Sequence, residues 1–148
     1  MQERYLCRAK RTDNGKWVEG FYFCMTHPDG RHTHHFIIPL GADLSRGTPI
    51  EKIQVEVDPS TICRCTGLRD KNDELIWEKD IVDGHIKRGA AFLNCLVLWN
   101  ECKARFDVRA MDCNFPMTLD EVVDDISICG LDYEVVGNSF DNPELLEV

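Results

Sequence analysis

Short apolar runs alternate with polar turn residues along most of the chain. The runs are rich in aromatic and β-branched residues and are only a few residues long, which is typical of β-strands. Seven or eight such strands are predicted, with little helix between them. We therefore expect a mainly β fold, a single-domain β-barrel or sandwich of short antiparallel strands with one or two short helical turns.

An N-terminal hairpin is predicted over about residues 4–24. Tyr5–Lys10 and Trp17–Cys24 form its two arms, and Asn14-Gly15 lies between them. Asn-Gly between two strand-like runs is the strongest short hairpin signal in a sequence. Gly20 interrupts the second arm and predicts a bulge or a close approach of another backbone.

The stretch from Thr66 to Val82, TGLRDKNDELIWEKDIV, organises the middle of the chain. It reads as a strand from Ser60 to Leu68, a polar turn, a short strand and then the step Asp80-Ile81-Val82. Asn and Asp tolerate left-handed backbone and bond their own main chain, so the polar residues 69–74 have the chemistry of a turn. The pattern favours a β-hairpin over the alternative, a surface loop followed by a helical turn through Trp77–Ile81.

Further strands are predicted in a central β body, about residues 50–110. They are Glu51–Val57, where polar and apolar residues alternate, Ala91–Trp99 and Lys103–Arg109. Ala91–Trp99 is the most apolar stretch of the chain. A central strand is favoured there over a buried helix, because the run that follows it also reads as a strand.

The C-terminal part is predicted to contain a helix, a strand and one helical turn. Asp120–Ser127 would be the helix, with Thr118 as its cap. Ile128–Val136 is the last predicted strand. The segment Pro143-Glu144-Leu145-Leu146 predicts a single turn, because Pro suits the first turn of a helix.

Three segments are similar to motifs of one protein family. They are KWVEGFY at residues 16–22, the long stretch at residues 66–82, and EVVGNSFDNPELL at residues 134–146. Together they span both ends and the middle of the chain, which thereby resembles the YopX family of phage and prophage proteins. The resemblance implies a β-rich fold and a phage setting, and it carries over no catalytic residue. In the family's motif Gly is usual where this chain has Asp73 and Lys79.

Eight residues of these motifs and strands are predicted to be structural rather than catalytic. They are Gly67, Leu68, Trp77, Asp80, Ile81, Trp99, Asn142 and Pro143. If Trp77 belongs to the core, replacing it with Ala should destabilise the domain by about 3–5 kcal/mol.

Composition and length predict one globular domain, residues 1–148, with 43% hydrophobic and 29% charged residues. No apolar run approaches the roughly 20 residues of a membrane-spanning helix. Residues 1–8 also have no apolar signal-peptide core. We therefore expect a cytoplasmic protein of the bacterial host, without membrane association. Its eight cysteines would then be thiols rather than disulfides.

The acidity of the chain is concentrated at one end. Residues 112–148 contain ten Asp or Glu and no Lys, Arg or His, whereas the rest of the chain holds 16 acidic and 17 basic residues. This acidic C-terminal segment would repel phosphate groups, so nucleic-acid binding is not expected. It reads as a solvated face or as a docking face for a basic partner or a sister subunit.

A metal site is the first candidate for chemistry. Four histidines lie within residues 27–35, and Cys63 and Cys65 share one face of a predicted strand. Zinc takes four nitrogen or sulfur ligands, so a site would join His32 or His34 to Cys63 and Cys65. Cys-x-Cys is tighter than the usual spacing, and buried thiols beside a solvated histidine loop are the ordinary alternative. No metal or cofactor is expected on balance.

Catalytic and nucleic-acid motifs give weaker signals. The sequence has no nucleophile elbow, P-loop or dinucleotide fingerprint, so no enzymatic activity is expected. Lys87-Arg88, Arg105 and Arg109 beside Trp99 and Phe106 would form a modest basic patch, with ordinary surface charge as the alternative.

The expected function is that of a phage or prophage accessory protein that acts by protein–protein interaction. Its partner would be a phage or host protein or further copies of the chain, as a homo-oligomer. A nucleic-acid-associated phage protein and a small zinc-binding module are the alternatives.

Overall fold

The computed structural model describes residues 3–85, 91–110 and 132–147. The strands in these ranges are β1 (Cys7–Lys10), β2 (Trp17–Thr26), β3 (Thr33–Pro39), β4 (Val55–Glu56), β5 (Cys63–Arg69), β6 (Leu75–Trp77), β7 (Asp80–His85), β8 (Ala91–Asn100), β9 (Arg105–Arg109) and β10 (Asp132–Asn138). Short 3-10 turns cover Glu3–Tyr5, Ile50–Lys52, Pro59–Thr61 and Pro143–Leu146. The prediction of a mainly β fold of short antiparallel strands with short helical turns is confirmed. None of the described residues forms a helix with the length and apolar character that a membrane crossing requires.

The chain divides into two compact units, Met1–Cys65 and Thr66–Val148. The boundary falls inside β5, whose first residues pair with β1 and which is also a neighbour of β6. The sequence predicted one domain over residues 1–148. The two units are regions of dense internal contact, and such regions do not by themselves show whether the chain folds as one domain or as two. The single-domain prediction therefore stays a prediction.

The first unit is a sheet with the strand order β4-β3-β2-β1-β5. Its first hairpin forms as predicted, with Lys10 opposite Trp17. Gly15 takes a left-handed φ of 70° in the connecting turn, which suits the second residue of an Asn-Gly pair. Strand β2 runs on to Thr26, beyond the predicted end at Cys24, and pairs with β3 along most of its length.

The core of this unit lies on one face of the sheet. It consists of Ala9, Ile37 and Val57, with Val18, Tyr22 and Ile62 packed against them. Gly20 lies at a point of close backbone approach, because a methyl group there would overlap the carbonyl of Ile38 on β3. The close approach that the sequence predicted at Gly20 is therefore confirmed.

The second unit contains a sheet with the order β10-β7-β8-β9. The apolar run at residues 91–99 is strand β8, as predicted, and it pairs with β7 on one side and β9 on the other. The second predicted run, residues 103–109, is a strand from Arg105 onward. Side chains from β6 to β10 form the core: Ile76, Val82, Cys95, Val97, Val108 and Tyr133.

The predicted strand at Glu51–Val57 is wrong over its first half. The chain forms a 3-10 turn at Ile50–Lys52, and only Val55–Glu56 pairs as a strand. The turn is closed by the N–H of Ile53, which donates to the carbonyl of Ile50 at 3.0 Å. Local hydrogen bonds therefore satisfy the backbone that the alternating pattern assigned to a sheet.

The strand predicted from Ser60 begins later for a similar reason. Pro59–Thr61 is a 3-10 turn, and the side chain of Asp58 accepts the N–H of Ser60 at 2.9 Å. In the C-terminal part, β10 realises the predicted last strand from Asp132 onward. The rest of that prediction, residues 128–131, and the helix predicted at 120–127 with its cap Thr118 lie outside the described residues.

Two residues hold a left-handed backbone where the family motif has glycine. Asp73 has a φ of 64° and Lys79 a φ of 70°. This region costs a residue with a side chain about 1–2 kcal/mol. Two backbone hydrogen bonds hold Lys79 in this left-handed conformation. Its N–H donates to the carbonyl of Val97 at 2.8 Å, and its carbonyl accepts the N–H of Ser139 at 2.9 Å. The chain thus keeps the geometry of a glycine turn without the glycine.

Replacing Trp77 with Ala is expected to lower the free energy of unfolding by about 3–5 kcal/mol, the usual cost of truncating a core aromatic residue. The expectation follows from burial, since Trp77 is 3% exposed. Urea denaturation followed by circular dichroism measures it. A loss below about 1 kcal/mol, which is typical of surface positions, would contradict a core role.

Replacing Lys79 with Gly is expected to stabilise the protein, because glycine occupies the left-handed region without strain. Lys79→Ala is the matched control, since it removes the same side chain and keeps the Cβ. In urea denaturation we expect the Gly variant to be about 0.5–1 kcal/mol more stable than the Ala variant. Equal stabilities would show that the backbone at Lys79 is not strained.

Candidate functional site

Asp70 is the buried acceptor at the turn of the Thr66–Val82 stretch, where the side chain is 8% exposed. Its Oδ1 accepts the N–H groups of Asn72 at 2.8 Å and Glu74 at 3.0 Å. Its Oδ2 accepts the N–H of Val135 on β10 at 3.0 Å. One carboxylate therefore closes the β5–β6 turn and attaches that turn to β10, the last strand along the chain.

The charge of Asp70 is maintained by these bonds. Burial alone would raise the pKa of Asp70, but the three backbone N–H donors, led by that of Val135, outweigh it and hold the pKa below its usual range. Lys71 adds a second link to the same strand, since its N–H donates to the carbonyl of Tyr133 at 2.8 Å. The arrangement stabilises a turn and leaves no proton for acid–base chemistry near neutral pH.

The step Asp80-Ile81 is equally buried, with Asp80 1% and Ile81 0% exposed. Asp80 Oδ2 accepts the N–H of Trp77 at 2.8 Å. The short reverse turn between β6 and β7 is thereby closed by a side chain inside the structure. Both residues therefore lie inside the structure, and their predicted structural role stays a prediction.

The remaining residues of the predicted structural set also lie at turns and packing positions. Gly67 has a φ of 77° within β5, a conformation that favours glycine. Leu68 packs against the core of the second unit. Asn142 Oδ1 accepts the N–H of Asn138 at 3.3 Å. Pro143 begins the predicted final turn.

Trp99 packs against Phe106 on the neighbouring strand, edge to face with ring centroids 4.9 Å apart. Arg105, which belongs to the predicted basic patch, donates from Nε to Asp107 at 2.7 Å. Lys87-Arg88 lie outside the described residues. The patch is therefore partly neutralised in the part of the chain that the structure describes.

A cleft of about 330 Å³ lies beside Trp99 in the second unit. Side chains of both charges line it: Glu78, Lys79, Glu101, Asp107 and Arg109. A site for phosphate would present a surplus of positive charge. This mixed lining does not single out nucleic acid as a ligand.

The structure does not bring together the residues of the predicted zinc site. Cys63 and Cys65 are 0% and 2% exposed. Cys63 lies opposite Arg8 on β1, whereas His34 lies opposite Met25 near the far end of β2. Arg8 is itself opposite Glu19, so the two levels of the sheet differ by six residues of β2, roughly 20 Å along the strand. Across residues 3–85, 91–110 and 132–147, no group of three or more His, Cys, Asp or Glu side chains is placed to hold a metal ion.

Two histidines meet instead at the turn end of the β2–β3 hairpin. The Nε2 atoms of His27 and His34 are 3.3 Å apart. The Nδ1 atom of His34 lies 3.2 Å from Glu56 Oε1 on β4. The sequence shows four histidines close together in this region, but it does not indicate the contact with Glu56. Strand pairing brings Glu56 beside His34. His35 has a separate partner, Tyr22, whose hydroxyl is 2.7 Å from its Nδ1.

The side of the β2–β3 hairpin that faces away from the core of the first unit is also apolar. We call it the hairpin face, and it consists of Phe21, Phe23, Met25, Phe36, Ile38 and Leu40. Phe23 lies opposite Phe36, and their rings stack with centroids 5.3 Å apart. Phe21 is 45%, Met25 50% and Leu40 43% exposed. The two-residue period of a strand places Phe21 and Phe23 on one face of β2, but the extension of this face across β3 depends on the observed register.

The fold and these surfaces define a mainly β protein with an apolar hairpin and a surface histidine pair. The family is shown by the sequence, which matches the YopX protein family over residues 7–147, so the chain belongs to the YopX family. The resemblance carried by the three motifs is confirmed. Among solved structures, the chain is similar to protein EF1440 from Enterococcus faecalis, at 24% identity over 95% of this chain and 96% of that chain, with a TM-score of 0.49. No curated protein matches the chain.

Replacing Asp70 with Asn is expected to lower the free energy of unfolding by about 1.5–3 kcal/mol near pH 7, because a charged acceptor is lost from buried hydrogen bonds. The folded-state pKa of Asp70 is depressed, so its stabilisation is present above the unfolded pKa of about 3.9 and is lost as the pH falls through the folded pKa. Urea denaturation at several pH values should show the two proteins converging under acid conditions.

Asp73→Asn is the control for Asp70→Asn, since Asp73 belongs to the same turn and its side chain is 89% exposed. Its effect should stay within about 0.5 kcal/mol at every pH. A pH-independent loss in the Asp70 variant would mean that the charge of this carboxylate does not stabilise the turn.

Proposed function

We propose that the protein is a phage or prophage accessory protein that acts in the bacterial cytoplasm by binding another protein through the hairpin face. The exposure of Phe21 and Met25, at 45% and 50%, is the observation that carries the proposal. Burying a side chain of this size contributes about 1.5–3 kcal/mol. The face thus offers contact area for binding, and the proposal assigns no catalytic step to it.

The backbone around this face supports the same proposal. Strand β1 pairs with β2 only from Trp17 to Gly20. Beyond Gly20, β2 has β3 as its one strand neighbour among the described residues. The β1-side edge of β2 therefore has no strand partner there among the described residues, and such strand edges readily pair with other chains. A partner that covers the hairpin would stabilise it as well as bind it.

The charges beside the hairpin face favour a protein over a nucleic acid as the partner. The six residues of the face include no Lys or Arg. Glu19 precedes the face on β2, and Glu56 lies opposite Phe36 on β4. Arg8, the nearest cation by register, stacks on Trp17 with its guanidinium carbon 4.7 Å from the ring centroid. Acidic neighbours repel phosphate, whereas they do not oppose an apolar or basic protein surface.

Membership of the YopX family supports the phage setting of this proposal. Self-association is one form that the binding takes if two copies pair through the hairpin face. A second form is capture of a phage or host protein. The acidic C-terminal segment, residues 112–148, would then favour a basic partner, and most of that segment lies outside the described residues.

The double variant Phe21→Ser/Met25→Ser is expected to weaken partner binding at least about 10-fold, since exposed aromatic residues at the centre of an interface often contribute more than 1.4 kcal/mol. Leu44→Ser is the matched control, because Leu44 is 72% exposed and lies in the loop after β3. Sedimentation velocity measures self-association, and affinity capture from host lysate with and without nuclease identifies other partners.

The proposal requires binding that survives nuclease, falls in the double variant and persists in Leu44→Ser. Equal losses in both variants would remove the hairpin face from consideration. Capture of nucleic acid alone would replace the proposal with a nucleic-acid-associated function.

A further inference from the structure

The histidine pair at the hairpin turn lies outside the core of the first unit and borders the hairpin face, where the ring of His34 stacks on Phe36 with centroids 6.3 Å apart. His27 directly follows β2, and His34 lies on β3, so the turn brings them together across the hairpin. Their Nε2 atoms face each other at 3.3 Å, at the surface of the protein. Two imidazole nitrogens in this position are the natural ligands of a borderline transition-metal ion.

The spacing of the two nitrogens fits a shared metal ion. Zinc binds imidazole nitrogen at about 2.0–2.1 Å in a tetrahedral shell, which places two ligating nitrogens about 3.3–3.4 Å apart. The observed 3.3 Å matches this value, so a spacing that also permits a hydrogen bond between the two rings suits a shared metal ion. The rings of His27 and His34 are tilted by 55° with centroids 5.3 Å apart, which allows both lone pairs to converge on one point.

Glu56 supplies the second element of a metal site. Its Oε1 lies 3.2 Å from the Nδ1 atom of His34. A carboxylate in this position accepts the Nδ1–H bond and leaves the Nε2 lone pair free to bind a metal ion. Metal-binding histidines usually have such a partner on the other ring nitrogen.

We propose that His27 and His34 form a two-imidazole binding site for a divalent transition-metal ion such as Zn²⁺, with Glu56 as a positioning residue for His34. Since the described residues offer no group of three ligands, the ion keeps open positions for water or for donor atoms of a bound molecule. The site adjoins a surface cleft of about 230 Å³ lined by Met25 and Phe36 of the hairpin face. It uses neither Cys63 nor Cys65.

Calorimetric titration of the full chain with ZnCl₂ under reducing conditions tests this assignment. The variants are His27→Gln, His34→Gln, the double variant of both, and Glu56→Gln. Each single histidine variant is expected to weaken binding at least about 10-fold and Glu56→Gln about 10-fold, the usual cost of losing an outer-shell partner. His32→Gln is the matched control from the same turn and should bind as the wild type does.

Nitrogen NMR of the wild-type imidazoles gives a readout that does not depend on variants folding. Zinc should shift the Nε2 resonances of His27 and His34 and leave those of His35, which is hydrogen-bonded to Tyr22, in place. Zinc binding that is equal in the wild type and the double variant would overturn the proposal, because the eight cysteines would then account for it. A loss in His32→Gln as large as in His34→Gln would also overturn the assignment. Protein binding through the hairpin face is tested separately, by the Phe21→Ser/Met25→Ser variant.

Discussion

The carboxylate of Asp70 is the constraint on which the second unit depends. It accepts three backbone N–H groups, two from its own turn and one from Val135, which lies 65 residues further along the chain. A buried charge is tolerated only when it is bonded in this way, so the turn and β10 must form together. The Thr66–Val82 stretch therefore closes the turns of the second unit, which explains why Asp70 and Asp80 are buried although the other charged residues around the turn are exposed.

The first unit obeys a different constraint, because its hairpin is longer than the strands beside it. Strand β2 has ten residues, whereas β1 has four. The outer part of the hairpin thus extends beyond β1, yet Phe21 and Met25 on its hairpin face are apolar and exposed. Apolar surface that folding leaves in water is available for association. The same extension carries the turn where His27 and His34 meet, so the hairpin face and the histidine pair lie on one element.

Charged side chains also distinguish the hairpin face from the cationic positions of the chain. Arg105 is held by Asp107, and Arg8 lies over Trp17, so these cations already have partners within the chain. The hairpin face has acidic neighbours in Glu19 and Glu56. Glu56 thereby has two effects at once, since it opposes phosphate near the face and orients His34. A negative charge beside a histidine pair also attracts a metal cation.

Hydrophobic periodicity and turn chemistry determined most of the strands, because alternation, Asn-Gly and buried apolar runs act over a few residues. They predicted the close backbone approach at Gly20 and the hairpin around Asp70. The strand predicted from Glu51 was wrong because local turn bonds satisfied its backbone, and alternation does not record them. Strand register determined which residues meet in the candidate sites. It placed His34 beside Glu56 and away from Cys63, and it placed Phe23 opposite Phe36. Register depends on pairing between distant strands, and a pattern read along one strand does not contain it.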